Sequence, residues 1–372
     1  MLASSSGATL FAFSIGMSSV ALPLLALAAG YSAAGVGALT AVSAIAQMVT
    51  RMVLGVAMRR WPDRYLVTAA ALLLAASHGL VALSAAAVPF VLAELVQGVA
   101  RAAFWTGSQT HVVRGNGTSV GALAVVNFSS SIGLLGGPIL AGVMSERTPV
   151  LALWVAAVIA LLGVAPSLLL DRLPPFVPPT HRPPGRLWRR PGVSNGCWAG
   201  VTAGAWRGLL SSFIPVALAA ARQSASTIGV LVTVANGASV IGPLLVARVS
   251  SAGAPWVFAA GTLAAGVGTG ATALVADDVL LSAVALAVSG LGAGALQTLG
   301  PAMATDAVHP QERGDAIAVA GTFRAAALFA APMGVVGLVG LVSLGSAMAI
   351  AGAALALPVL TVRSLAAHTR RT

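Results

Sequence analysis

The chain has 372 residues, of which 58% are hydrophobic and only 8% are charged. An ordinary soluble domain carries about 25% charged residues, so this chain lacks the polar side chains that would cover a water-exposed surface. Its net charge of +11 comes from arginine alone, because the sequence contains no lysine. The single cysteine, Cys197, excludes a disulfide framework and a thiolate metal site. The composition therefore indicates an integral membrane protein.

Twelve apolar segments are long enough to cross a bilayer, since a helix that spans a hydrocarbon core of ~30 Å needs about 20 apolar residues. In chain order the predicted spans are 7–29, 34–58, 65–87, 88–110, 119–144, 149–170, 193–220, 225–249, 253–276, 279–305, 314–341 and 343–362. No basic residue precedes the first apolar segment, so we interpret it as a span and not as a secretory signal. An all-α integral membrane fold with twelve transmembrane helices follows.

The arginines support this count and set an orientation. If the amino terminus is cytoplasmic, fourteen arginines lie in cytoplasmic loops and the carboxyl tail, and only Arg147 and Arg222 lie on the opposite side. Basic residues accumulate in short cytoplasmic loops. We therefore expect a multi-pass protein of a bacterial-type plasma membrane with both termini in the cytoplasm. The positive charge is interpreted as a topology signal and not as a nucleic-acid site.

A proline- and arginine-rich segment divides the chain into two halves. Residues 171–192 contain seven prolines and five arginines, and we expect a semi-extended cytoplasmic linker there. The predicted domains are an N-terminal six-helix bundle (1–170), this linker, and a C-terminal six-helix bundle with a short basic tail (193–372). A shift of 192 residues aligns Pro23 with Pro215. Parallel repeats of this kind are typical of transporters whose halves move around a central site.

Twelve spans, a central linker and two six-span halves resemble the major facilitator superfamily, in two pseudo-symmetric bundles. Three motifs carry the resemblance further. The first lies in the fifth span and contains Gly133, Gly137, Pro138 and Gly142. It looks like the family's glycine-proline signature, which is associated with drug–proton antiporters. The alternative is a tightly packed, kinked helix, because small residues let helices approach closely and a proline leaves one carbonyl unpaired.

The second motif lies between the second and third spans. It contains Gly55, Arg59, Arg60, Asp63 and Arg64. It resembles the family's cytoplasmic gate loop, which implies a latch made of charge pairs. However, Arg59 stands where the family has an aspartate, and Pro62 stands where it has a second glycine. A simple anchor that keeps positive charge on the cytoplasmic side is the equal alternative.

The third motif lies in the fourth span, where Glu94, Gln97 and the following glycine resemble the family motif Arg-x-x-Gln-Gly with Glu94 in place of the arginine. At 100° per residue, one helix face collects Glu94, Gln97, Arg101, Trp105 and Ser108. A charge at the centre of a spanning helix costs about 2.5–3.5 kcal/mol. This face therefore cannot meet lipid, and we expect it to line the central cavity or contact a partner helix.

Two roles are open for Glu94, the only carboxylate well inside a predicted span. It is either ion-paired with an arginine, such as Arg101, or it carries a proton that it exchanges during transport. Arg207 in the seventh span and Arg324 in the eleventh either bind an anionic substrate or neutralise Glu94. Among weaker signals, His78 is either a packing residue or a proton relay. Asn127 lines the cavity or bridges helices.

These residues predict a secondary transporter and not an enzyme. The proposed substrate and proton-coupling set is Glu94, Gln97, Arg101, Arg207, Arg324 and Asn127. The resemblance implies a cavity lined by the first, fourth, seventh and tenth helices. We expect a monomer that exports a small organic molecule in exchange for protons, with no cofactor or metal. The alternatives are an uptake carrier for an anionic nutrient and a transport-inactive receptor or scaffold.

Overall fold

The computed structural model describes residues 1–58, 60–115, 119–173, 187–246, 253–308 and 313–361. Within these ranges the regular structure is helical. The α-helices, in chain order, are α1 (Leu2–Ala28), α2 (Ala33–Ala57), α3 (Asp63–Leu83), α4 (Ala87–Gly115), α5 (Ser119–Ser145), α6 (Pro149–Leu162), α7 (Val164–Leu168), α8 (Pro191–Leu210), α9 (Phe213–Ala220), α10 (Ala225–Val246), α11 (Ala254–Thr272), α12 (Val279–Asp306), α13 (Arg313–Val339) and α14 (Leu344–Ala356). Short 3-10 helices lie at Leu187–Arg189 and Leu357–Thr361.

The all-helical membrane fold predicted from the sequence is confirmed. Ten helical segments in the described ranges are long and apolar enough to cross a membrane, and the bent pair α8–α9 makes eleven. The remaining predicted span, 253–276, coincides with α11, a 19-residue helix rich in glycine and threonine. Its glycine and threonine residues lower its mean hydropathy, so α11 is not among the ten helices that are apolar enough to be counted as spans.

Two predicted spans are interrupted, and a proline explains each interruption. The span 149–170 breaks between α6 and α7 at Gly163, three residues before Pro166. The span 193–220 bends by 42° between α8 and α9, three residues before Pro215. A proline in a helix removes one N–H donor and its ring clashes with the carbonyl four residues earlier. At the second break the Ser212 hydroxyl donates to the Gly208 carbonyl at 2.7 Å and satisfies it.

The helices form two compact units. The first contains α1 to α7 and the start of α10, as far as Thr233; the second contains α8, α9, the rest of α10 and α11 to α14. In the first unit α1 packs on α5, and α4 packs on both α2 and α3. In the second, α8 packs on α13, and α12 packs on α11. The α1–α5 and α3–α4 pairs of the first unit therefore recur in the second as α8–α13 and α11–α12.

A pair of glycines extends the sequence repeat to atomic contacts. A Cβ atom on Gly98 of α4 would overlap the carbonyl oxygen of Ser43 on α2, and one on Gly290 of α12 would overlap that of Ala235 on α10. Each residue of the second contact follows its counterpart by the same 192 positions that relate Pro23 to Pro215. Only a residue without a side chain permits this backbone approach. The two crossings are equivalent.

Candidate functional site

Glu94 lies in α4 on the side that packs against α2. It is 4% exposed and stands one helical turn before Gly98, where α4 touches the backbone of Ser43. Ser43 is also buried, and its side chain acts electrostatically on the Glu94 carboxylate. Among the described residues, no arginine or histidine nitrogen lies within 4.0 Å of that carboxylate. The ion pair with Arg101 that the sequence left open is therefore not formed in this structure.

Gln97 joins a hydrogen-bonded chain that the sequence did not reveal. Its amide nitrogen lies 3.4 Å from Nε2 of His78 on α3. The other ring nitrogen, Nδ1, lies 3.1 Å from the hydroxyl of Ser14 on α1. That hydroxyl donates to the carbonyl of Ala156 on α6 at 2.8 Å. Gln97, His78 and Ser14 are each at most 1% exposed, so the chain ties four helices together inside the first unit.

The rest of the polar face of α4 also meets partner helices. Arg101 is half-buried and acts electrostatically on both Glu94 and His78. Its Nε is buried and makes no hydrogen bond to any described residue. Trp105 meets the ring of Phe11 on α1 edge to face, with centroids 6.3 Å apart. The face predicted from the 100° spacing is thus distributed over contacts with α1, α2 and α3.

The second unit holds Arg207 in a polar cluster at the end of α8. The Arg207 guanidinium donates to the side-chain oxygen of Asn236 on α10 at 2.8 Å and lies 5.0 Å from the ring centroid of Trp206. The indole nitrogen of Trp206 in turn donates to the hydroxyl of Ser289 on α12 at 3.1 Å.

Arg324 is bound in a similar way on α13. Its guanidinium donates to the side-chain oxygen of Gln297 on α12 at 3.2 Å. The backbone of Arg324 contacts α8 at Gly204, where a Cβ atom would overlap the Arg324 carbonyl oxygen. Asn127, by contrast, is exposed on α5 in the first unit. The structure does not bring Asn127 to Glu94 or Gln97 through any hydrogen bond in the described ranges.

The predicted gate loop is described only in part. Arg59 and the surroundings of Gly55 lie outside the described part of the chain. Arg60 is exposed, and the Arg64 guanidinium stacks on the neighbouring Tyr65 ring at 4.8 Å. Asp63 differs from these because it is 1% exposed at the first residue of α3.

A buried histidine faces this aspartate. One carboxylate oxygen of Asp63 lies 3.3 Å from Nδ1 of His111 on α4, and the same oxygen accepts from the backbone N–H of Arg64 at 3.1 Å. Asp63 is one of the charged residues of the predicted gate loop. The contact between Asp63 and His111 joins α3 to α4. The spacing of the two residues along the chain does not predict this contact.

The glycine-proline segment of α5 makes two different contacts within the first unit. Cβ atoms on Gly133 and Gly137 would overlap the backbone carbonyls of Thr9 and Phe13, so these glycines permit the close packing of α5 on α1. Gly142 instead meets the start of α10, where a Cβ atom would lie 2.6 Å from the Ala225 carbonyl oxygen. The tightly packed helix that the sequence analysis offered as an alternative is observed. The contact of Gly142 with α10 is additional.

Glu146, just beyond the end of α5, strengthens the α5–α10 contact. One carboxylate oxygen accepts from the backbone N–H of Ser226 at 2.8 Å and from its hydroxyl at 2.7 Å. The backbone hydrogen bond from Ser226, followed by the one from its hydroxyl, holds the pKa of Glu146 below its usual range. Because Ser226 lies in the first turn of α10, the carboxylate also meets the positive end of that helix.

No group of three or more histidine, cysteine, aspartate or glutamate side chains in the described ranges is arranged to hold a metal ion. The first unit thus brings together Glu94, Gln97 and Arg101 with His78. The second unit holds Arg207 and Arg324 on amide partners. The residues that sequence reasoning missed are short or aromatic side chains that complete these contacts: Ser14, Ser43, His111, Trp206 and Ser289. A serine or tryptophan in an apolar helix carries no distinctive signal by itself.

The apolar helices and their buried polar contacts define a multi-pass membrane protein. The sequence profile of the Major Facilitator Superfamily matches residues 5–198, just over half of the chain. The chain belongs to this superfamily, which is one of membrane transporters and not of enzymes. No curated protein sequence matches the chain.

Solved transporters share the fold. The chain is similar to a mutant of the nucleoside transporter NupG, with a TM-score of 0.81 and 13% identity, covering 98% of this chain and 99% of that one. It is similar to a POT family transporter in complex with a thioalcohol-conjugated peptide (TM-score 0.79, 11% identity, 99% and 96% covered). It is also similar to a bacterial homologue of the human lysosomal transporter Spinster (TM-score 0.73, 15% identity, 100% and 96% covered).

Proposed function

We propose that this protein is a secondary transporter that exports a small organic molecule in exchange for protons by alternating access. The observation that carries the proposal is the burial of Glu94 in α4 without an ion pair to any described residue. Holding an ionised carboxylate in such a place costs several kcal/mol, and protonation removes that cost. A group whose protonation is so closely tied to its surroundings is suited to exchange a proton when those surroundings change.

The neighbours of Glu94 support a coupling role. Gln97 and Arg101 lie three and seven residues further along α4, and Arg101 acts electrostatically on Glu94. Protonation of Glu94 therefore changes the net charge beside Arg101. In the proposal Gln97 and Arg101 contact the substrate. The protonation state of Glu94 changes the affinity of this site for the substrate. Export is favoured by the α5 segment, which resembles the signature associated with drug–proton antiporters.

The remaining features of the proposal follow from the family and the arginines. The transporter lies in a bacterial-type plasma membrane as a monomer with both termini in the cytoplasm, since that orientation places most arginines on the cytoplasmic side. It has an N-terminal bundle over residues 1–170, a linker over 171–192 and a C-terminal bundle over 193–372. Gradient-driven transport of this kind requires no cofactor.

Proton flux in proteoliposomes tests the proposal. A pH-sensitive dye in the lumen reports proton movement when tetraphenylphosphonium, ethidium, glucose or benzoate is added across an imposed pH gradient. We expect at least one compound to dissipate the gradient in the wild type. Glu94→Gln should abolish that coupled flux, because glutamine cannot carry the proton. The matched control is Asp277→Asn, which neutralises an exposed carboxylate and should leave the flux unchanged.

Two outcomes would contradict the assignment. Coupled flux that persists in Glu94→Gln would remove Glu94 as the proton carrier. Substrate movement in the wild type without any proton movement would remove proton coupling altogether. A loss of flux in Asp277→Asn would show that the assay responds to neutralisation of carboxylates in general.

The deep arginines favour a second candidate function, uptake of an anionic nutrient. Arg207 and Arg324 are half-buried, and each guanidinium donates to a side-chain amide oxygen, that of Asn236 and of Gln297 respectively. Such a site would attract a carboxylate or phosphate group. Accumulation of labelled benzoate in intact cells, lost in Arg207→Gln, would favour this function. Exclusion of benzoate with proton-linked efflux of ethidium would favour export.

A further inference from the structure

The hydrogen bonds that link Gln97 through His78 and Ser14 to the Ala156 carbonyl must all be donated in the same direction. A carbonyl oxygen only accepts, so the Ser14 hydroxyl must give its one hydrogen to Ala156, 2.8 Å away. The Ser14 oxygen can then only accept from Nδ1 of His78, at 3.1 Å. In a neutral imidazole with hydrogen on Nδ1, Nε2 is an acceptor. The amide nitrogen of Gln97, 3.4 Å from Nε2, supplies the hydrogen.

This direction fixes the orientation of the Gln97 amide. If the amide were reversed, its oxygen would face Nε2, and two acceptors would meet. With its nitrogen against His78, the amide directs its oxygen to the opposite side. We infer that His78 and Ser14 are positioning residues that hold Gln97 with its nitrogen toward α3, so that its oxygen accepts a hydrogen bond from the substrate. The part that concerns the substrate rests on the proposed function, in which Gln97 meets it.

The second unit contains a counterpart of this arrangement. Trp206 and Ser289 follow Ser14 and Gln97 by 192 positions, the same offset that relates Gly98 to Gly290. There the Trp206 indole nitrogen donates directly to the Ser289 hydroxyl at 3.1 Å. Ser289 passes its own hydrogen to the carbonyl of Leu286 at 2.9 Å. The long tryptophan reaches α12 by itself, whereas the short Ser14 side chain requires His78 as an intermediate.

The substrate chemistry follows from the free end of the amide. An amide oxygen accepts hydrogen bonds and cannot donate them. A substrate group that meets the Gln97 oxygen must therefore be a donor, such as a hydroxyl, an amine or an amide N–H. A site built to hydrogen-bond a donor rejects analogues that lack it, because its own polar group is then left unpaired. Among the compounds tested for proton flux, this favours ethidium, which has two amino groups, over tetraphenylphosphonium, which has none.

Nitrogen-15 NMR of the purified protein in lipid nanodiscs tests the positioning role without any substrate. Histidine labelled at both ring nitrogens gives separate signals for protonated and unprotonated nitrogens, and His78→Phe identifies the signals of His78 by their loss. We expect wild-type His78 to show a protonated Nδ1 and an unprotonated Nε2. A signal from the opposite tautomer, or from a ring protonated on both nitrogens at neutral pH, would overturn the inference.

Two variants separate positioning from general packing. Ser14→Ala removes the hydroxyl that accepts from Nδ1–H, and we expect the Nδ1 signal of His78 to shift. Ser77→Ala is the control, because Ser77 is buried beside His78 but donates to the Ala93 carbonyl, outside the chain. It should leave the His78 signals in place. If Ser14→Ala fails to fold, the wild-type tautomer still decides the question.

The NMR result is independent of the proposed function. If Gln97→Ala leaves proton-coupled flux unchanged while the His78 tautomer is as expected, Gln97 is positioned but does not meet the substrate, and the proposed function fails at this residue. If Gln97→Ala lowers the flux but His78 has the opposite tautomer, Gln97 acts in transport and the positioning inference fails.

Discussion

Glu146 shows how one carboxylate can join two helices within the first unit. Its hydrogen bonds to Ser226 favour the ionised form, so the folded-state pKa lies below the ordinary value of 4.5. By linkage, a lowered folded-state pKa gives stability that is fully present above the ordinary value and is lost as the pH falls through the lowered one. The α5–α10 contact should therefore weaken only under acid conditions.

The test of Glu146 is the pH dependence of thermal stability. We expect Glu146→Gln to melt at a lower temperature than the wild type at neutral pH, because the glutamine lacks the negative charge that meets the α10 N-terminus. The difference between the two proteins should shrink below the ordinary pKa and disappear at lower pH. Ser226→Ala, which removes one donor, should show a smaller effect with the same pH dependence. An equal difference at all pH values would refute the electrostatic account.

The polar face of α4 shows how far residue-scale reasoning extends. Helical spacing and the cost of exposing charge to lipid identified Glu94, Gln97 and Arg101 as inward-facing before any contact was known. The partners of these residues could not be found in this way. Ser14 precedes His78 by 64 positions and Gln97 by more, and a serine in an apolar helix is equally compatible with lipid-facing and buried positions. The hydrogen-bonded chain exists because the packing of α1, α3 and α4 brings these side chains together.

At the scale of the helices, glycines decide which faces pack. In α5 the residues Gly133 and Gly137 let the helix touch the backbone of α1, whereas Gly334 and Gly337 in α13 have nothing within 4 Å of an added Cβ atom. Glycine is therefore required at some positions of these helices and merely tolerated at others. The sequence motif in α5 contains positions at which glycine is required for helix packing.

A pair of glycine substitutions tests this distinction. Gly133→Ala places a methyl group against the carbonyl of Thr9, and we expect it to lower stability by about 1–3 kcal/mol. Gly334→Ala places the same group in open space and should be neutral or stabilising by up to ~1 kcal/mol, since alanine favours the helix. Thermal unfolding in detergent micelles measures both. Equal destabilisation of the two variants would show that the glycines do not act through packing.

At the scale of the whole chain, orientation is the property that the arginines predict most directly. Arg60 lies in a predicted cytoplasmic loop and Arg147 in a predicted external one, and both side chains are exposed. In a Cys197→Ser background, Arg60→Cys and Arg147→Cys provide matched single cysteines. A membrane-impermeant maleimide should label only the second in intact cells and only the first in everted vesicles. The reverse pattern would invert the proposed topology.

The wild type supplies the control for this labelling. Cys197 is 3% exposed within α8, so unmodified protein should not react from either side. Labelling of both introduced cysteines from the same side would show an even number of spans between them, instead of the three that the sequence predicts. Arg60 and Arg147 each lie in a turn outside the helices.

The sequence by itself determined the membrane environment, the helical class, the candidate spans and the repeat of 192 positions. These properties follow from local composition, from the helix length that is needed to cross a bilayer and from the placement of charged residues. All three can be determined from the order of residues along the chain. Only the tertiary structure decided where spans break, which glycines form contacts, that Asp63 meets His111, and that Gln97 is held through His78 and Ser14. Such contacts join residues far apart in the chain, and their geometry depends on the crossing of whole helices.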